Sequence, residues 1–579
     1  MNIVGIPTAT RRRVATLLGP STFIMVAVLI VLGFYLVYPV LLIVIYTFNT
    51  AFEVFVGTPE WGLGNWRLAL SQPGIITALW NSFRIWGMTV VISLPVAVVI
   101  AWLLARTTIP FSHGLEFMFW VSYMMPGIAT TLGWITLMSP QTGLLNVAIR
   151  QLPFIDQSPF NMFSVPGIVF AHLMSNGISL KVMLLTPAFR NMDASLEEAG
   201  RVSGASNVLT MFRVTLPLMI SPITLVFALQ LLRIFQSFET EFLLGTPIGF
   251  FVYSTLIYEL VRTYQPPLYG QAAVLATLTL SIIAVIIPIQ RRILERRRYT
   301  TISAGFRPGL IDLGRWKFAI TGSIWLLVIF LTVLPAVALI FGSFMVRAGY
   351  FSFTKVYTVE HWVSVLTDPI FGSAVFTTLV LGAIAAVVSP LLFSLLAYIL
   401  VRTRWRGRAG LDFMIWSSGA VPGILSGLGL LMLFLGTPGL SILFGTIWAL
   451  VIVVIISGNT SGTNIMKGVF VQVGQDMEDA ARIAGAGWVR TYFFIWIPLM
   501  AKTLVLLSMM NFSGAVGATS SIILLASRDT WTLSILALEF RINADHAEAS
   551  IVAIVLMILT FAVGSAMKVF GQRLGVRHQ

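Results

Sequence analysis

Apolar runs long enough to cross a bilayer recur along this chain and leave it few ways to fold. A membrane-spanning helix needs roughly 20 mostly apolar residues. Runs of that kind fall near residues 17–46, 82–105, 115–138, 165–186, 218–244 and 271–289. A second set lies near 316–345, 374–401, 411–435, 440–465, 500–526 and 549–570. The fourth and tenth are the most polar, with "AHLMSNGISL" and "SGNTSGTN". The composition agrees, with 57% hydrophobic residues and 10% charged, where a soluble protein carries about a quarter charged residues. The fold class expected is all-α: a polytopic membrane protein of about 12 transmembrane helices.

The N-terminus opens like a secretory signal, with Arg11, Arg12 and Arg13 ahead of an apolar run. That run continues for about 30 residues without a small-residue cleavage site, so it reads as a retained first span. The net charge of +14 would suit nucleic acid, but basic residues of membrane proteins gather in cytoplasmic loops. With the N-terminus inside, most Lys and Arg fall there: Arg106; Lys181, Arg190, Arg201 and Arg213; the cluster from Arg291 to Lys317; "RTRWRGR" (402–408); and Lys467, Arg482, Arg490 and Lys502. This predicts an inner-membrane protein with both termini cytoplasmic, in contact with lipid and without a nucleic-acid partner. There is no cysteine and the five histidines are scattered, so no metal site and no thiol chemistry are expected.

The chain is also written twice. Pro39 matches Pro335, Trp66 matches Trp362, "AWLLART" ending at Thr107 matches "AYILVRT" ending at Thr403, and Pro126-Gly127 matches Pro422-Gly423, all at an offset of 296. Later the offset becomes 281: "EEAGRVSGASNVLTMFRVTLPLM" (197–219) answers "EDAARIAGAGWVRTYFFIWIPLM" (478–500). Six crossings separate matched positions, so the halves are parallel repeats related by an axis along the membrane normal. The division expected is a first half at 1–290, a cytoplasmic linker at 291–315 and a second half at 316–579. Within each repeated segment, near 193–217 and 474–498, a short helical pattern meets a Gly-Ala turn. A second amphipathic stretch then closes on a proline that starts the next span. The product is a helix–turn–helix elbow between two spans.

These residues resemble the EAA loop of bacterial ABC-importer permeases. The pattern is met by Glu198-Ala199-Gly200, Gly204, Val214 and Leu216-Pro217, and again by Asp479-Ala480-Ala481, Gly485, Ile495 and Ile497-Pro498. Gly200, Asp479 and Ile497 are mild departures. The resemblance implies a type I ABC-importer permease in which each loop docks on a cytoplasmic ATPase. Two loops on one chain then imply two copies of that ATPase and a binding protein that delivers cargo from outside. It assigns Glu198 and Asp479 to pairing with the ATPase, Gly204 and Gly485 to the turn, and Pro217 and Pro498 to transmitting motion. The chain has no "GxxxxGK[ST]" loop, so it is not the ATPase, and ATP is used by a separate partner; no nucleophile–base pair or metal motif stands out, so a transport subunit rather than an enzyme is expected. The fused arrangement is most similar to the ferric-iron permeases; thiamine, polyamine and phosphonate importers have related ones.

For the pathway, Gln230, Arg233, Ser237 and Glu241 are spaced for one face of the fifth span, and Asn511 matches Gln230. Intramembrane polar groups usually face a pathway or a partner helix. Arg233 lies roughly 22 Å along the helix from Leu218 at about 1.5 Å per residue, where it could equally snorkel to the outer interface. The rival class is a secondary transporter with the same span count, which would need a mid-span carboxylate and would have no use for two elbows.

Overall fold

The computed structural model describes residues 20–573 except 52–53, 56–57, 194, 297–309, 352–353, 404–406 and 475. Arg11 to Arg13, most of the linker and the centre of "RTRWRGR" lie outside the described residues. Among the described residues the structure is helical throughout, apart from isolated bridges pairing Asn49 with Trp61, Thr107 with Ile311, and Met345 with Tyr357.

Among the described residues seven helices are long and apolar enough to cross a membrane: Val26–Tyr46, Pro73–Arg106, Tyr269–Gln290, Trp316–Phe344, Pro369–Arg402, Ile447–Gln472 and His546–Ala566. Four bent helix pairs raise the number to as many as eleven. They are Val165–Gly177 with Ser179–Arg190, Met211–Leu218 with Ile220–Leu231, Arg408–Gly419 with Gly423–Gly436, and Trp488–Leu499 with Ala501–Val516. The third expected span is two helices, Ser112–Met124 and Gly127–Met138, parted at Pro126. Proline has no N–H to continue the ladder, and its match Pro422 interrupts the ninth span in the same way.

The duplication is visible in the helix boundaries. Pro73–Arg106 and Pro369–Arg402 are both 34 residues and differ by the offset of 296. Each starts on proline, which suits the first helical position because its missing N–H would be unpaired there anyway. In the second copy Asp368 Oδ1 adds a cap by accepting the Ile370 N–H at 2.8 Å. The tenth span shows why its polar run stays helical. Inside Ile447–Gln472, Ser457 donates to the Val453 carbonyl and Thr463 to the Asn459 side chain, so these groups are satisfied within the helix. The fourth span breaks instead. Its helix widens into a π-turn at Leu173–Gly177, where Ser175 leaves helical geometry at ψ −109°.

The helices sort into two compact units. The smaller comprises Met1–Gly62, Leu379–Ser527 and Val563–Gln579; the larger comprises Leu63–Thr378 and Arg528–Ala562. Each unit therefore takes in a helix pair from the other half of the sequence. In the smaller unit Tyr38–Tyr46 packs on Gly423–Gly436, and in the larger Val333–Phe344 packs on Gly127–Met138. The contact is the same in both. A Cβ on Gly429 would stand 3.0 Å from the Pro39 Cβ, and one on Gly133 would stand 2.5 Å from the Pro335 carbonyl oxygen. Glycine against a proline ring lets the two backbones approach without a side chain between them.

Candidate functional site

The two elbows are built alike, from residues upward. Ser195–Val202 and Asp476–Ile483 are eight-residue helices separated by the offset of 281. Both end in the same turn. Gly204 (φ +88°) and Gly485 (φ +78°) take the left-handed conformation that side-chain-bearing residues avoid. The following alanines then donate back five residues: Ala205 to the Gly200 carbonyl at 3.1 Å and Ala486 to the Ala481 carbonyl at 2.9 Å. Next come π-turns at Met211–Thr215 and Tyr492–Trp496. Pro217 and Pro498 follow, and the chain bends by 60° and 78° into Ile220–Leu231 and Ala501–Val516. A proline that withholds its N–H beside a widened turn accounts for a bend at this point.

What pins each elbow to its unit is an acid that the sequence pattern passed over. In the larger unit Glu197, fully buried, pairs with the buried Arg106 at the end of Pro73–Arg106. Arg106 Nε and Nη2 both donate to Glu197 Oε2, Nη1 reaches the Met192 carbonyl at 3.2 Å, and Thr215 donates to Glu197 Oε1 at 2.6 Å. Outside the span, Asp193 accepts the Ser195 N–H at 3.0 Å at the mouth of the elbow helix. That hydrogen bond, with the Ser195 side chain, holds the Asp193 carboxyl below its usual range.

The second elbow solves the same problem differently. Arg402, the match of Arg106, does not reach Glu478, the match of Glu197. It donates to the carbonyls of Phe470 (2.7 Å) and Val473, and lies 4.9 Å above the Trp496 ring. Trp496 stands where the first elbow has Thr215, so the hydroxyl that served the carboxylate is gone and an indole receives the guanidinium. Glu478 is held instead by Arg482 at 2.7 Å and by the Tyr398 hydroxyl at 3.2 Å. Tyr398, Phe470, Tyr492 and Trp496 form an aromatic core beneath this elbow.

Glu198, Ala199, Asp479 and Ala480 face outward, whereas Gly200 is half-buried and Ala481 buried. Among the described residues neither Glu198 nor Asp479 makes an ion pair. Beyond the acids, each elbow tip is apolar: Val202 and its match Ile483 are each 89% exposed. Leu196 and Met477, also matched, are half exposed. The signal for Glu197 and Glu478 was present as a second acid beside each motif acid, but only burial separates the inward acid from the outward one.

The pathway residues do not share one helical face. The fifth helix ends at Leu232, passes through a tight turn at Arg233–Phe235 and restarts at Glu239–Leu244. Gln230 and Arg233 therefore sit at the end of one helix, and Ser237 and Glu241 at the entry of the next. Ser237 and Glu241 are nevertheless joined: Ser237 donates to Glu241 Oε2, and His172 Nε2 lies 2.7 Å from Oε1. Asn511 in the smaller unit donates to the Leu507 carbonyl. Lys181, which the charge count assigned to the cytoplasm, is 1% exposed and stands two residues into Ser179–Arg190, just past the break. Among the described residues no group of three or more His, Asp or Glu is placed to hold a metal ion.

Residues 391–576 match the family described as binding-protein-dependent transport system inner membrane component. The chain is similar to the putative ferric transport system permease protein FbpB 1 of Haemophilus influenzae, at 26% identity over 64% of this chain and 58% of that one. It thus spans less than two thirds of that relative. It is also similar to the probable ABC transporter permease protein y4fN of Sinorhizobium fredii, at 25% identity over 86% of this chain and 88% of that one. A crystal structure of a bacterial alginate ABC transporter aligns with 47% of this chain at 17% identity and a TM-score of 0.39, and nothing here rests on it. At family level the chain is similar to polytopic membrane permeases of the ABC-importer type, and the matched family is a transport component rather than a catalytic one.

Proposed function

We propose that this chain is the membrane permease of an ATP-driven, binding-protein-dependent importer, and that its elbows dock on two copies of a cytoplasmic ABC ATPase. The observation that carries this reading is the duplicated elbow. Two helices share the same glycine turn, and each ends in an apolar tip 89% exposed. An apolar residue so exposed on a charged loop favours a partner that covers it. Glu198 and Asp479 would pair with basic groups of the ATPase, while the buried Glu197 and Glu478 keep each elbow rigid on its own unit. Closing the ATPase dimer would draw both elbows together. Because packed helices hold discrete arrangements, that movement would switch the bundle between inward-open and outward-open states. The bends after Pro217 and Pro498 are where it would enter the spans. A binding protein outside would supply the cargo, and the termini would be cytoplasmic in an inner membrane.

The cargo proposed is ferric iron, supported by the name of the Haemophilus influenzae relative; thiamine, polyamine and phosphonate are the alternatives. The test is uptake of labelled ferric iron by cells carrying this chain or its Gly204→Glu, Gly485→Glu double variant. Uptake lost in the variant, with the protein still inserted and abundant, is the expected result. Unchanged uptake of every cargo the wild type imports would refute docking at the elbows. One observation favours a secondary transporter: Glu241 is a buried carboxylate paired with a histidine, as proton coupling requires. A proton-driven carrier would lose transport on Glu241→Gln and be indifferent to the elbow variant.

A further inference from the structure

The larger unit holds a buried lysine and a half-buried arginine that the second half of the chain replaces with glycines. Lys181 is 1% exposed, and among the described residues its three donors find one acceptor, the carbonyl of Gly177 in the π-turn. Arg233 is half-buried where the fifth helix ends; that helix packs against Ser179–Arg190, which carries Lys181, and Pro73–Arg106 packs against both Ser179–Arg190 and the turn Arg233–Phe235. Among the described residues no carboxylate forms an ion pair with either cation. Helix Pro73–Arg106 packs against both the π-turn and the helix carrying Lys181. It contributes Thr89 and the fully buried Ser93, whose hydroxyls are buried without a hydrogen-bond partner.

The second half shows that the fold stands without these charges. At the offset of 281, Lys181 corresponds to Gly462 and Arg233 to Gly514, while His172, Ser237 and Glu241 correspond to Val453, Ala518 and Ile522. The helix there, Ile447–Gln472, runs unbroken where the first half breaks. The volume is exchanged as well. A Cβ on Gly462 would fall within 2.0 Å of the Phe393 ring, and the match of Phe393 in the first half is Ala97. One half fills the space with phenylalanine over glycine; the other has alanine and a lysine. A buried and a half-buried cation without a paired carboxylate among the described residues oppose folding, so in a duplicated scaffold that offers an uncharged solution they call for an anion that neutralises them.

We propose that Lys181 and Arg233, with the Thr89 hydroxyl beside the π-turn, form a binding site for an oxyanion, and that cargo crosses this chain carrying one. This rests on the permease reading above. A bare trivalent cation, thiamine or a polyamine would be repelled here, whereas phosphonate, or ferric iron inside an anionic chelate, would be attracted. The recognised chemistry is the same for a free oxyanion and for the carboxylates of a chelate, and the test separates them.

The full chain with its ATPase and binding protein is expressed in cells deleted for the gene. Uptake is measured for labelled phosphate, sulfate, aminoethylphosphonate, ferric citrate, thiamine and spermidine. Binding of the anions to the purified complex is measured alongside. The expected result is import of an anionic member only, reduced at least tenfold by Lys181→Met and by Arg233→Gln, and kept within about threefold by Lys181→Arg. If free oxyanions compete with that cargo, the oxyanion itself is recognised; if only ferric citrate is carried, the chelate supplies it. Should Lys181→Met fail to accumulate, Ala97→Phe with Lys181→Gly copies the packing of the second half and keeps the fold. Import of thiamine or spermidine overturns the proposal. So does wild-type uptake by the charge variants, or absence of anion binding to the complex. The elbow double variant in the same assay keeps the two readings apart. If it abolishes uptake while the charge variants do not, the anion site fails and the permease stands; if it changes nothing, the permease reading fails first.

Discussion

Replacing Arg106 should loosen the first elbow far more than replacing Arg402 loosens the second, although the two arginines are matched in sequence. Arg106 and Glu197 have fully buried side chains, and Arg106 supplies both donors to Glu197 Oε2. Arg106→Met leaves a buried carboxylate with one hydroxyl, Thr215, and a broken buried pair costs about 3–5 kcal/mol. Arg402 makes no contact with Glu478, which keeps Arg482 and Tyr398. Arg402→Met forfeits charged hydrogen bonds to two carbonyls and a stack on Trp496, about 2 kcal/mol. The assay is hydrogen exchange of the elbow amides in the full chain in lipid, where protection reports the free energy of local opening. At 1.4 kcal/mol per factor of ten, Arg106→Met should lower protection over 195–202 by about two to nearly four orders of magnitude. Arg402→Met should lower it over 476–483 by roughly one to one and a half. Because each single variant strands a buried charge, Arg106→Met with Glu197→Gln should cost no more than either alone. Equal losses at both elbows, or a double variant costing the sum of the singles, would refute the reasoning.

Two further outcomes follow from exposure and close packing. Gly133→Ala puts a methyl 2.5 Å from the Pro335 carbonyl oxygen, an overpacking expected to cost about 1–3 kcal/mol. Gly429→Ala meets Pro39 at 3.0 Å or more and should be near neutral, since alanine also favours the helix by about 0.5–1 kcal/mol. Thermal unfolding of the two variants in detergent decides it, and equal shifts would contradict the geometry. Val202→Asp and Ile483→Asp alter side chains 89% exposed, so stability should change by less than about 0.5 kcal/mol. The variants should fail to retain the ATPase on purification, and full retention would remove the docking role from the tips.

Much of the architecture was legible because its signals are local. An apolar run of bilayer length needs no knowledge of its neighbours, and a duplicated pattern shows itself by offset; the boundaries Pro73–Arg106 and Pro369–Arg402 repeat it to the residue. The elbow turn was legible for the same reason, since a glycine at positive φ and the proline that follows are properties of a short segment. Hydropathy does not register where a helix breaks. The fifth span ends at Leu232 and the fourth opens at Leu173–Gly177, so the even spacing from Gln230 to Glu241 promised a face that does not exist.

What only the tertiary structure decided was burial and partnership. Glu197 and Glu198 are adjacent acids, yet one is sealed against Arg106, 91 residues earlier, and the other is free to meet a partner. Lys181 looked like one more cytoplasmic charge until packing placed it beside a helix break at 1% exposure. The repeat predicts matched residues in matched roles, but Thr215 and Trp496, or Lys181 and Gly462, send equivalent positions to different ends. A charge takes its role from the groups it is desolvated among, and those come from distant parts of the chain. Sequence determined which segments are apolar and long enough to cross a bilayer and that the elbow occurs twice. Packing determined which of their charges hold the protein together and which are left for something else to meet.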